Sequence, residues 1–370
     1  MQFTCSTEKL IEAVQIVTKG LGGNTINPIL EGILIETEGN QLVFTCTDER
    51  ITIVTRIPAD IQEAGRGVVP GKMFSEHVRR LTDDDNVDIR MDERYVFTIR
   101  CGRSRKNISG QDADLFPTLP RIEDEREISL PQDMLRDMIQ KTEFAISQKH
   151  MHEVLTGCLL EISGGDVTMV ALDGVRLAMR SAKCSDVLEK VSAVIPGRAV
   201  GDIGKLLSSE EDAFAQLSFG GNKMHIRLDD TEIFVILVVG DYVNYRDIIP
   251  KSSTTHVEVE LEPFRRYIDR VALSARESSN NLIMLRIEGD TMVIEANSQQ
   301  SEAHEEMEIV KQGPDLNIAF NVKYLIDVVR FMDSERISLQ MNSPTAPCVV
   351  TPVGDSDYLH QIMPVRTGAR

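Results

Sequence analysis

The sequence predicts an α+β fold of three tandem similar units with mainly antiparallel sheets. Three strand–turn–helix segments with matching patterns begin at Val68, Val194 and Ile318, about 125 residues apart, which is the length of one small domain. Within each unit, apolar runs are joined by short turns that contain glycine. Such joins are typical of hairpins and are too short for a parallel crossover. The repeat and its hairpins therefore determine the predicted fold class.

Each unit begins with an extended segment that leads into an amphipathic helix. The apolar residues at helical spacing are Leu10, Ile11, Val14 and Val17 in the first unit, Met134, Leu135, Met138, Ile139 and Thr142 in the second, and Phe264, Tyr267, Ile268 and Val271 in the third. A strand pair follows, at 29–35 with 41–45, 155–162 with 167–171, and 282–287 with 291–294. The strand–turn–helix segment and further strands complete each unit, so we expect two helices per domain.

Stretches rich in proline or polar residues separate the three units near 117–127 and 250–255. They predict domains at 1–122, 128–251 and 255–370. No apolar run is long enough to cross a membrane, and Met1–Cys5 predicts a strand rather than a signal peptide. The six scattered cysteines are typical of free thiols in a reducing compartment. We therefore expect a cytoplasmic protein.

The composition is acidic, but the three repeated helices carry basic residues at matching positions. The net charge of the chain is −18. The basic pairs are Lys72 with Arg79, Arg198 with Lys205, and Lys323 with Arg330. Seven residues are close to two helical turns, so each pair is predicted to share one helix face. A confined basic surface on an acidic body is suited to a polyanion of uniform geometry such as a duplex backbone, contacted without base readout. The alternative is three solvated helix faces inherited by duplication.

Motifs for catalysis and metal binding are absent or incomplete. The segment 201–206 resembles a phosphate-binding loop, but Ala199 and Leu206 occupy positions that need glycine and Ser or Thr. The acidic run 83–86 lacks the glycine and distal glutamate of a calcium loop, and His150 with His152 lacks further ligands. The chain contains no tryptophan for base stacking. We predict no catalytic residues, no metal and no cofactor.

Several motifs together carry a resemblance over essentially the whole chain. They are the strand start at 28–30, Thr47-Asp48, 116–120, the segment Leu172-Asp173-Gly174-Val175-Arg176-Leu177-Ala178, the segment 241–250, the segment 320–325 and Met363-Pro364-Val365-Arg366. With these motifs the chain resembles the bacterial DNA sliding clamps, the β subunit of DNA polymerase III.

This resemblance implies the DNA clamp fold, in which two protomers form a head-to-tail homodimer and close a ring of six domains. Such a clamp is a processivity factor without chemistry of its own. It encircles duplex DNA independently of sequence, tethers the replicative DNA polymerase and other proteins with a clamp-binding motif, and is opened by a clamp-loader ATPase. The implied DNA-facing residues are Lys72, Arg79, Lys149, Arg198, Lys205, Asn321, Lys323, Tyr324 and Arg330.

The family also binds partner peptides in an apolar pocket between the second and third domains. The matching positions are Leu155, Leu172, Gly174, Val175, Arg176, Leu177, Val243, Ile248, Pro347, Met363, Pro364, Val365 and Arg366. Leucines of this kind are equally typical of an ordinary core. The resemblance further implies a dimer interface that includes Ile108 and Leu273.

The chain departs from the family pattern at a few positions. Val175 replaces a frequent histidine and Val243 a frequent proline, so the peptide preference of the pocket is expected to differ. Asn24 replaces a frequent basic residue that contacts DNA. Lys106 replaces an apolar interface residue, which predicts a weaker or more electrostatic dimer, and the tail 367–370 extends beside the pocket.

Two other functions remain to be compared with the clamp hypothesis. One is a peptide-binding scaffold that does not encircle DNA, which would keep the pocket but would not need the basic pairs. The other is an enzyme that acts on a phosphorylated ligand, which the failed search for catalytic motifs disfavours.

Overall fold

We describe the fold from a computed structural model, which covers residues 1–23, 27–119, 122, 127–149, 152–184, 187, 189–277 and 281–367. Contacts between residues divide the chain into two compact units. The first unit consists of 1–133 and 205–237, and the second of 134–204 and 238–370. Asn24, His150 and the tail residues 368–370, which the sequence singled out, lie outside the described residues. No helix in the described ranges is long and apolar enough to span a membrane.

The described helices follow the predicted repeat, with one short addition before the third domain. They are α1 (Thr7–Val17), α2 (Gly71–Val78), α3 (Gln132–Gln140), α4 (Gly197–Gly204), α5 (Tyr245–Ile248), α6 (Leu261–Arg276) and α7 (Val322–Arg330). The six longer helices confirm two helices for each predicted domain. Ser6 caps the start of α1 and Asn321 caps the start of α7, each through its side-chain oxygen.

The first unit contains two antiparallel sheets. Its strands are β1 (Gln2–Ser6), β2 (Gly32–Glu38), β3 (Gln41–Thr47), β4 (Ile51–Pro58), β5 (Asp60–Glu63), β6 (Arg66–Pro70), β7 (Asn86–Met91), β8 (Val96–Cys101), β9 (Ser104–Ser109), β10 (Glu127–Pro131), β15 (Phe214–Gly220), β16 (Lys223–Leu228) and β17 (Thr231–Ile236). A five-stranded sheet has the order β5-β1-β7-β8-β9, and an eight-stranded sheet has the order β10-β15-β16-β17-β4-β3-β2-β6.

The second unit repeats this plan. Its strands are β11 (Gly157–Ser163), β12 (Asp166–Leu172), β13 (Arg176–Lys183), β14 (Lys190–Pro196), β18 (Thr255–Glu260), β19 (Leu282–Glu288), β20 (Thr291–Asn297), β21 (Glu302–Glu308), β22 (Val310–Gln312), β23 (Leu316–Asn321), β24 (Arg336–Met341), β25 (Cys348–Pro352) and β26 (Tyr358–Ile362). A nine-stranded sheet has the order β14-β11-β12-β13-β26-β25-β24-β18-β22, and a four-stranded sheet has the order β21-β20-β19-β23.

Two predicted strands begin later in the structure than the sequence suggested. Residues 28–31 and 153–156 form short 3-10 turns, and β2 and β11 begin at the glycines that follow. In the first copy Pro28 has no N–H for a ladder, and the Asn27 side chain accepts a hydrogen bond from the Ile29 N–H. Ile29, Leu30 and Leu155 in these turns are buried nonetheless, so their apolar sequence resembled the start of a strand.

The sheets continue across the predicted domain boundaries. In the first unit β17 pairs with β4 along 231–235 and 51–55, and in the second unit β26 pairs with β13 along 358–362 and 176–180. The predicted second domain, 128–251, therefore contributes strands to both units. The boundaries of the three domains stay predictions.

A polar turn with the same hydrogen bonds occurs once in each copy of the repeat. Asp48 Oδ1 accepts from the backbone N–H groups two and three residues later, at 2.9 and 2.8 Å. Asp173 Oδ1 does the same at 3.0 and 3.0 Å, and Ser298 Oγ at 3.3 and 2.9 Å. These turns join β3 to β4, β12 to β13 and β20 to β21. The internal repeat therefore extends to individual side-chain contacts.

Candidate functional surfaces

The first basic residue of each predicted pair lies exposed at the start of its helix. Lys72, Arg198 and Lys323 are all exposed, while most of the apolar residues of the same helices are buried. In α7, for example, Leu325 and Val329 are each 1% exposed. The apolar face therefore anchors each helix on its sheet and leaves the basic residue in solvent.

The second basic residue of each pair is also exposed, but two of them lie just beyond their helices. Arg330 is the last residue of α7. Arg79 follows the last residue of α2 and keeps helical backbone angles (φ −60°, ψ −15°), and Lys205 follows the last residue of α4. The sequence predicted that these two helices extend to Leu81 and Leu207, because both leucines fit the apolar spacing of a helix. In the structure both leucines are buried but lie beyond the ends of their helices.

The remaining predicted DNA-facing residues have different surroundings. Lys149 is exposed in the loop before β11. The Asn321 side chain accepts a hydrogen bond from the Lys323 N–H at 3.0 Å, so it stabilises the start of α7. The Tyr324 ring is half-buried and lies 4.8 Å from the guanidinium of Arg176. Asn321 and Tyr324 therefore have structural contacts in addition to any contact with a ligand.

The leucines of the predicted pocket form the floor of one apolar cluster in the second unit. Leu155, Leu172 and Leu177 are 7%, 5% and 2% exposed and pack with Tyr245. The sequence left open that these leucines belong to an ordinary core. Their side chains are buried, as that alternative expects. Burial raises the pKa of the Tyr245 phenol, which also donates to Glu161 at 2.7 Å.

Exposed apolar side chains flank members of this cluster in the chain. Val175 and Met363 are 40% and 36% exposed and are joined by a backbone hydrogen bond of 2.8 Å from the Met363 N–H to the Val175 carbonyl. Val243 and Ile248, each 40% exposed, lie on either side of the buried Tyr245. Gly174 has a positive φ of 91°, and the space into which a Cβ would project is open, so a turn rather than close packing requires glycine there.

The chain end completes this surface. Cys348 pairs with Ile362, which brings Pro347 beside the start of the 363–366 segment. Pro364 and Val365 are half-buried, and the Val365 N–H donates to the Ala319 carbonyl at 2.8 Å. Arg366 is exposed. The structure therefore gathers the predicted pocket residues within one unit, on segments that are joined by hydrogen bonds.

Arg176 is mainly occupied by contacts within the protein. Its side chain is 16% exposed and donates to Asp173 at 2.9 Å, to Asp327 at 2.5 Å and to the Phe144 carbonyl at 2.5 Å. The aspartates neutralise its charge, and the Tyr324 ring lies against its plane. Arg176 therefore helps to position the turn 173–175, and its place in the partner pocket stays a prediction.

The two predicted interface residues differ in accessibility. Leu273 on α6 is 67% exposed. Ile108 on β9 is 2% exposed and packs in the core of the first unit, so its side chain is not available to a partner. Among the described strands β9 pairs only with β8, so its other backbone edge and its exposed residues are available to a partner strand.

The acidic run 83–86 and the buried cysteines were examined as possible metal or catalytic sites. The described residues contain no group of three or more His, Cys, Asp or Glu side chains that could hold a metal ion. Asp84 in the acidic run lies in a turn, where its carbonyl accepts from the Thr7 hydroxyl at 2.8 Å. Burial raises the pKa of the Cys5, Cys158 and Cys348 thiols to about 12, which keeps them protonated rather than nucleophilic.

Comparison with known proteins identifies the family. Sequence models of the DNA polymerase III beta subunit match in three parts: the N-terminal domain at residues 1–120, the central domain at 129–244 and the C-terminal domain at 246–366. The beta sliding clamp of Halalkalibacterium halodurans is 32% identical over 382 residues, which covers 99% of this chain and 100% of that protein. The chain belongs to the beta sliding clamp family.

Solved structures of beta sliding clamps have the same fold. The crystal structure of the DNA polymerase sliding clamp from Bacillus subtilis is 30% identical, with a TM-score of 0.94 and coverage of 99% of both chains. The DNA polymerase III beta subunit from Thermotoga maritima is 26% identical, with a TM-score of 0.93 over 99% of this chain and 100% of that one. These likenesses confirm the three tandem α+β domains. The family is a non-enzymatic processivity factor in DNA replication, as the sequence predicted.

Sequence reasoning missed several residues around the pocket. Asp173, Asp327 and the Phe144 carbonyl hold Arg176, and Tyr242 and Tyr245 complete the apolar cluster. Tyr242 and Tyr245 belong to the 241–250 motif, but nothing in the sequence brings Asp327 beside Arg176. That contact requires the pairing of β13 with β26, which is a long-range property.

Proposed function

We propose that this chain is a sliding clamp that encircles duplex DNA, contacts its phosphates without reading bases, and tethers the replicative polymerase. The observation that carries the proposal is the placement of basic residues. Six lysines and arginines at repeat-equivalent positions are exposed on an otherwise acidic chain with a net charge of −18. An acidic body repels DNA everywhere except at such a surface, and exposed lysines and arginines contact phosphates without sequence information.

Closure into a homodimer is supported by the strand order. Within one chain, β4 pairs with β17 and β13 pairs with β26. Each of these pairs joins four strands of one repeat to strands of the next repeat in a single sheet. β21 has the same position in its sheet as β4 and β13, and β9 has the same position as β17 and β26, so the third equivalent pair is β21 with β9. Among the described strands, each of these two edges pairs on one side only. We propose that β21 of one protomer adds to β9 of the other, head to tail, at two equivalent interfaces.

The charges on these two edges are complementary. Arg103 and Arg105 are exposed on and beside β9, whereas Glu302, Glu306 and Glu308 are exposed on β21. Opposite charges on neighbouring strands stabilise their pairing, and like charges oppose the wrong pairing of β9 with β9. Leu273 supports the same interface as an exposed apolar side chain on α6. The proposed interface is thus more electrostatic than an apolar one, which agrees with the expectation from Lys106.

The partner pocket is proposed at the surface formed by Val175, Val243, Ile248 and Met363. These exposed side chains flank members of a buried apolar cluster in the chain, and an apolar surface of this kind suits the leucine or phenylalanine anchors of a partner peptide. The proposed partners are the replicative polymerase, a clamp-loader ATPase and other proteins with a clamp-binding motif. The domains proposed for the clamp are 1–122, 128–251 and 255–370, and its proposed location is the cytoplasm.

Retention on DNA tests the proposal directly. The chain is labelled, loaded onto a nicked circular plasmid by a bacterial clamp loader, and separated from free protein by gel filtration. The circular DNA is then cut once with a restriction enzyme. A clamp stays on the circle and leaves the linear form, because only topology retains it. Equal loss from circular and linear DNA would contradict encirclement.

A peptide-binding scaffold without a ring gives a different result. It is monomeric by light scattering and is not retained on either form of DNA, although it still binds partner peptides. Reversal of the charges at Lys72, Arg198 and Lys323 would leave its peptide binding and its other properties unchanged. For the clamp, the same reversal reduces loading and retention.

A further inference from the structure

The first unit contains a groove that is equivalent, by the internal repeat, to the partner pocket of the second unit. The Ile236 N–H donates to the Arg50 carbonyl at 2.8 Å, as the Met363 N–H donates to the Val175 carbonyl at 2.8 Å. Both bonds follow the same polar turn, with Asp48 in one copy and Asp173 in the other. The groove therefore matches the proposed pocket at this hydrogen bond and at this turn.

The apolar clusters behind the two sites also correspond. Phe116 packs with Leu30 and Val68 in the first unit, as Tyr245 packs with Leu155 and Val194 in the second. The residues after Phe116 form one wall of the groove, where Leu119 is 40% exposed. Phe234 and Ile236 on β17 form the opposite wall and are half-buried. Together they leave a cavity of about 160 Å³.

The two sites differ in their floors. Thr47 and Thr52 pair across the strands where Leu172 and Leu177 pair in the second unit. The two threonine hydroxyls lie 2.7 Å apart and are buried, so they satisfy each other rather than a ligand. A floor of this kind offers less apolar area. The groove therefore has room and affinity for one large apolar side chain rather than several, since a cavity of about 150 Å³ holds a benzene-sized group.

The rim is polar and carries two cations. Arg50 and Lys223 line the groove together with Glu49, and Arg50 is exposed. An acidic residue beside the apolar anchor of a ligand would lie near Arg50 and complement this rim. We propose that this groove, defined by Arg50, Phe116, Leu119, Lys223, Phe234 and Ile236, is a second docking site for an acidic partner peptide with one leucine or phenylalanine anchor. It would let one protomer hold two partner segments at once.

Methyl NMR of the full-length protein tests the proposal. The probe is a synthetic acetylated hexapeptide, Glu-Leu-Asp-Leu-Phe-Gly, and the reporters are the δ1 methyls of Ile236 in the groove and Ile248 in the partner pocket. We expect both methyl signals to shift saturably. Leu119→Asp should abolish the Ile236 shift and leave that of Ile248, and Arg50→Glu should weaken binding at Ile236 about five- to tenfold. A Val175→Asp variant should have the opposite selectivity, which separates this site from the partner pocket.

Matched controls show whether a lost shift is specific. Leu115 is 65% exposed in the same loop but does not line the groove, so Leu115→Asp should leave both shifts unchanged. Arg94→Glu is the charge control, because Arg94 is exposed outside the groove. Absence of an Ile236 shift at millimolar peptide overturns the proposal, as does a shift that survives both Leu119→Asp and Arg50→Glu. A shift caused by raising the protein concentration alone would identify a second copy of the chain as the occupant and would also overturn it.

Discussion

Arg176 and Asp327 form an ion pair between residues 151 positions apart, with 2.5 Å between Arg176 Nη1 and Asp327 Oδ2. The arginine begins β13 and the aspartate lies on α7, so the pair joins the predicted second and third domains within the second unit. Lys141, which follows the last residue of α3, forms a second ion pair with Asp333, just beyond α7, at 3.1 Å. Together with the pairing of β13 and β26, these contacts hold the turn 173–175 that carries Val175.

Removing the arginine should destabilise the second unit. Arg176→Ala leaves the Phe144 carbonyl without its donor and leaves Asp173 and Asp327 without their cation, so we expect a loss of about 2–4 kcal/mol in the free energy of unfolding. Arg176→Lys should recover only part of it, because an ammonium cannot reproduce the three-way contact of a guanidinium. Urea unfolding followed by circular dichroism measures both values.

The matched control is the exposed pair of Arg246 with Glu161. Its arginine side chain is 63% exposed and its ions are 2.9 Å apart, so Arg246→Ala should cost less than about 1 kcal/mol. Equal costs for Arg176→Ala and Arg246→Ala would show that burial of the Arg176 network contributes nothing to stability.

His360 should make stability depend on pH in a defined window. Burial lowers the pKa of this histidine from 6.5 to about 3, and the charges of Arg176 and Lys141 act in the same direction. A group whose folded pKa is depressed contributes stability that is full above pH 6.5 and is lost as the pH falls toward 3. Carboxylates stay largely ionised down to about pH 5, so the loss between pH 6.5 and 5 reports histidines with a depressed pKa. His77 is a second one, because burial and the charge of Lys106 lower its pKa.

His360→Phe isolates this effect. The ring packs 5.3 Å from Phe144 and 4.5 Å from Tyr358, so phenylalanine retains the aromatic contacts. We expect the free energy of unfolding of the variant to fall less than that of the parent between about pH 6.5 and 5, by up to about 1.4 kcal/mol per pH unit, because His77 still titrates in the variant and His360 does not. A parent curve that is flat over this window would contradict a buried neutral His360.

Charge exchange should control assembly of the ring. Arg103→Glu with Arg105→Glu reverses the two exposed arginines on and beside β9, and Glu306→Arg with Glu308→Arg reverses two of the three exposed glutamates on β21. Each double variant alone places like charges on both proposed interfaces and should be monomeric by light scattering. A mixture of the two should form a heterodimer, because both of its interfaces again join opposite charges. Homodimers of either variant, or no recovery in the mixture, would contradict pairing of β9 with β21.

Reversal of the repeated basic residues should weaken contact with DNA without unfolding the chain. Lys72→Glu, Arg198→Glu and Lys323→Glu are at exposed positions on separate helices. In a plot of log K against log salt concentration, the slope for the triple variant should be shallower by the amount expected for the loss of about three phosphate contacts. Reversal of Arg90, Lys190 and Lys251, which are also exposed, is the control for net charge and should have a smaller effect. Titration of binding against salt distinguishes the two.

Much of the fold followed from local patterns. The spacing of Leu10, Val14 and Val17 predicted α1, and the glycine turns predicted the hairpins, because these depend on residues close in the chain. The ends of α2 and α4, just before Arg79 and Lys205, were predicted less well, because buried leucines beyond each helix fit the apolar spacing of a helix. The Arg50 groove was missed although the repeat predicted its turn, because its walls come from segments 116–119 and 234–236.

The sequence by itself determined the α+β class, the threefold repeat and the exposed basic residues, because each depends on periodicity within a short segment. Only the tertiary structure decided which edges pair. The joining of β4 to β17 and of β13 to β26 brings together residues more than a hundred positions apart. The pairing of β13 with β26 brings Arg176 close to Asp327. Packing in the core of the first unit buries Ile108, and β9 and β21 are among the edge strands of the described sheets. Backbone hydrogen bonds between distant strands carry no local pattern, so no single segment encodes them.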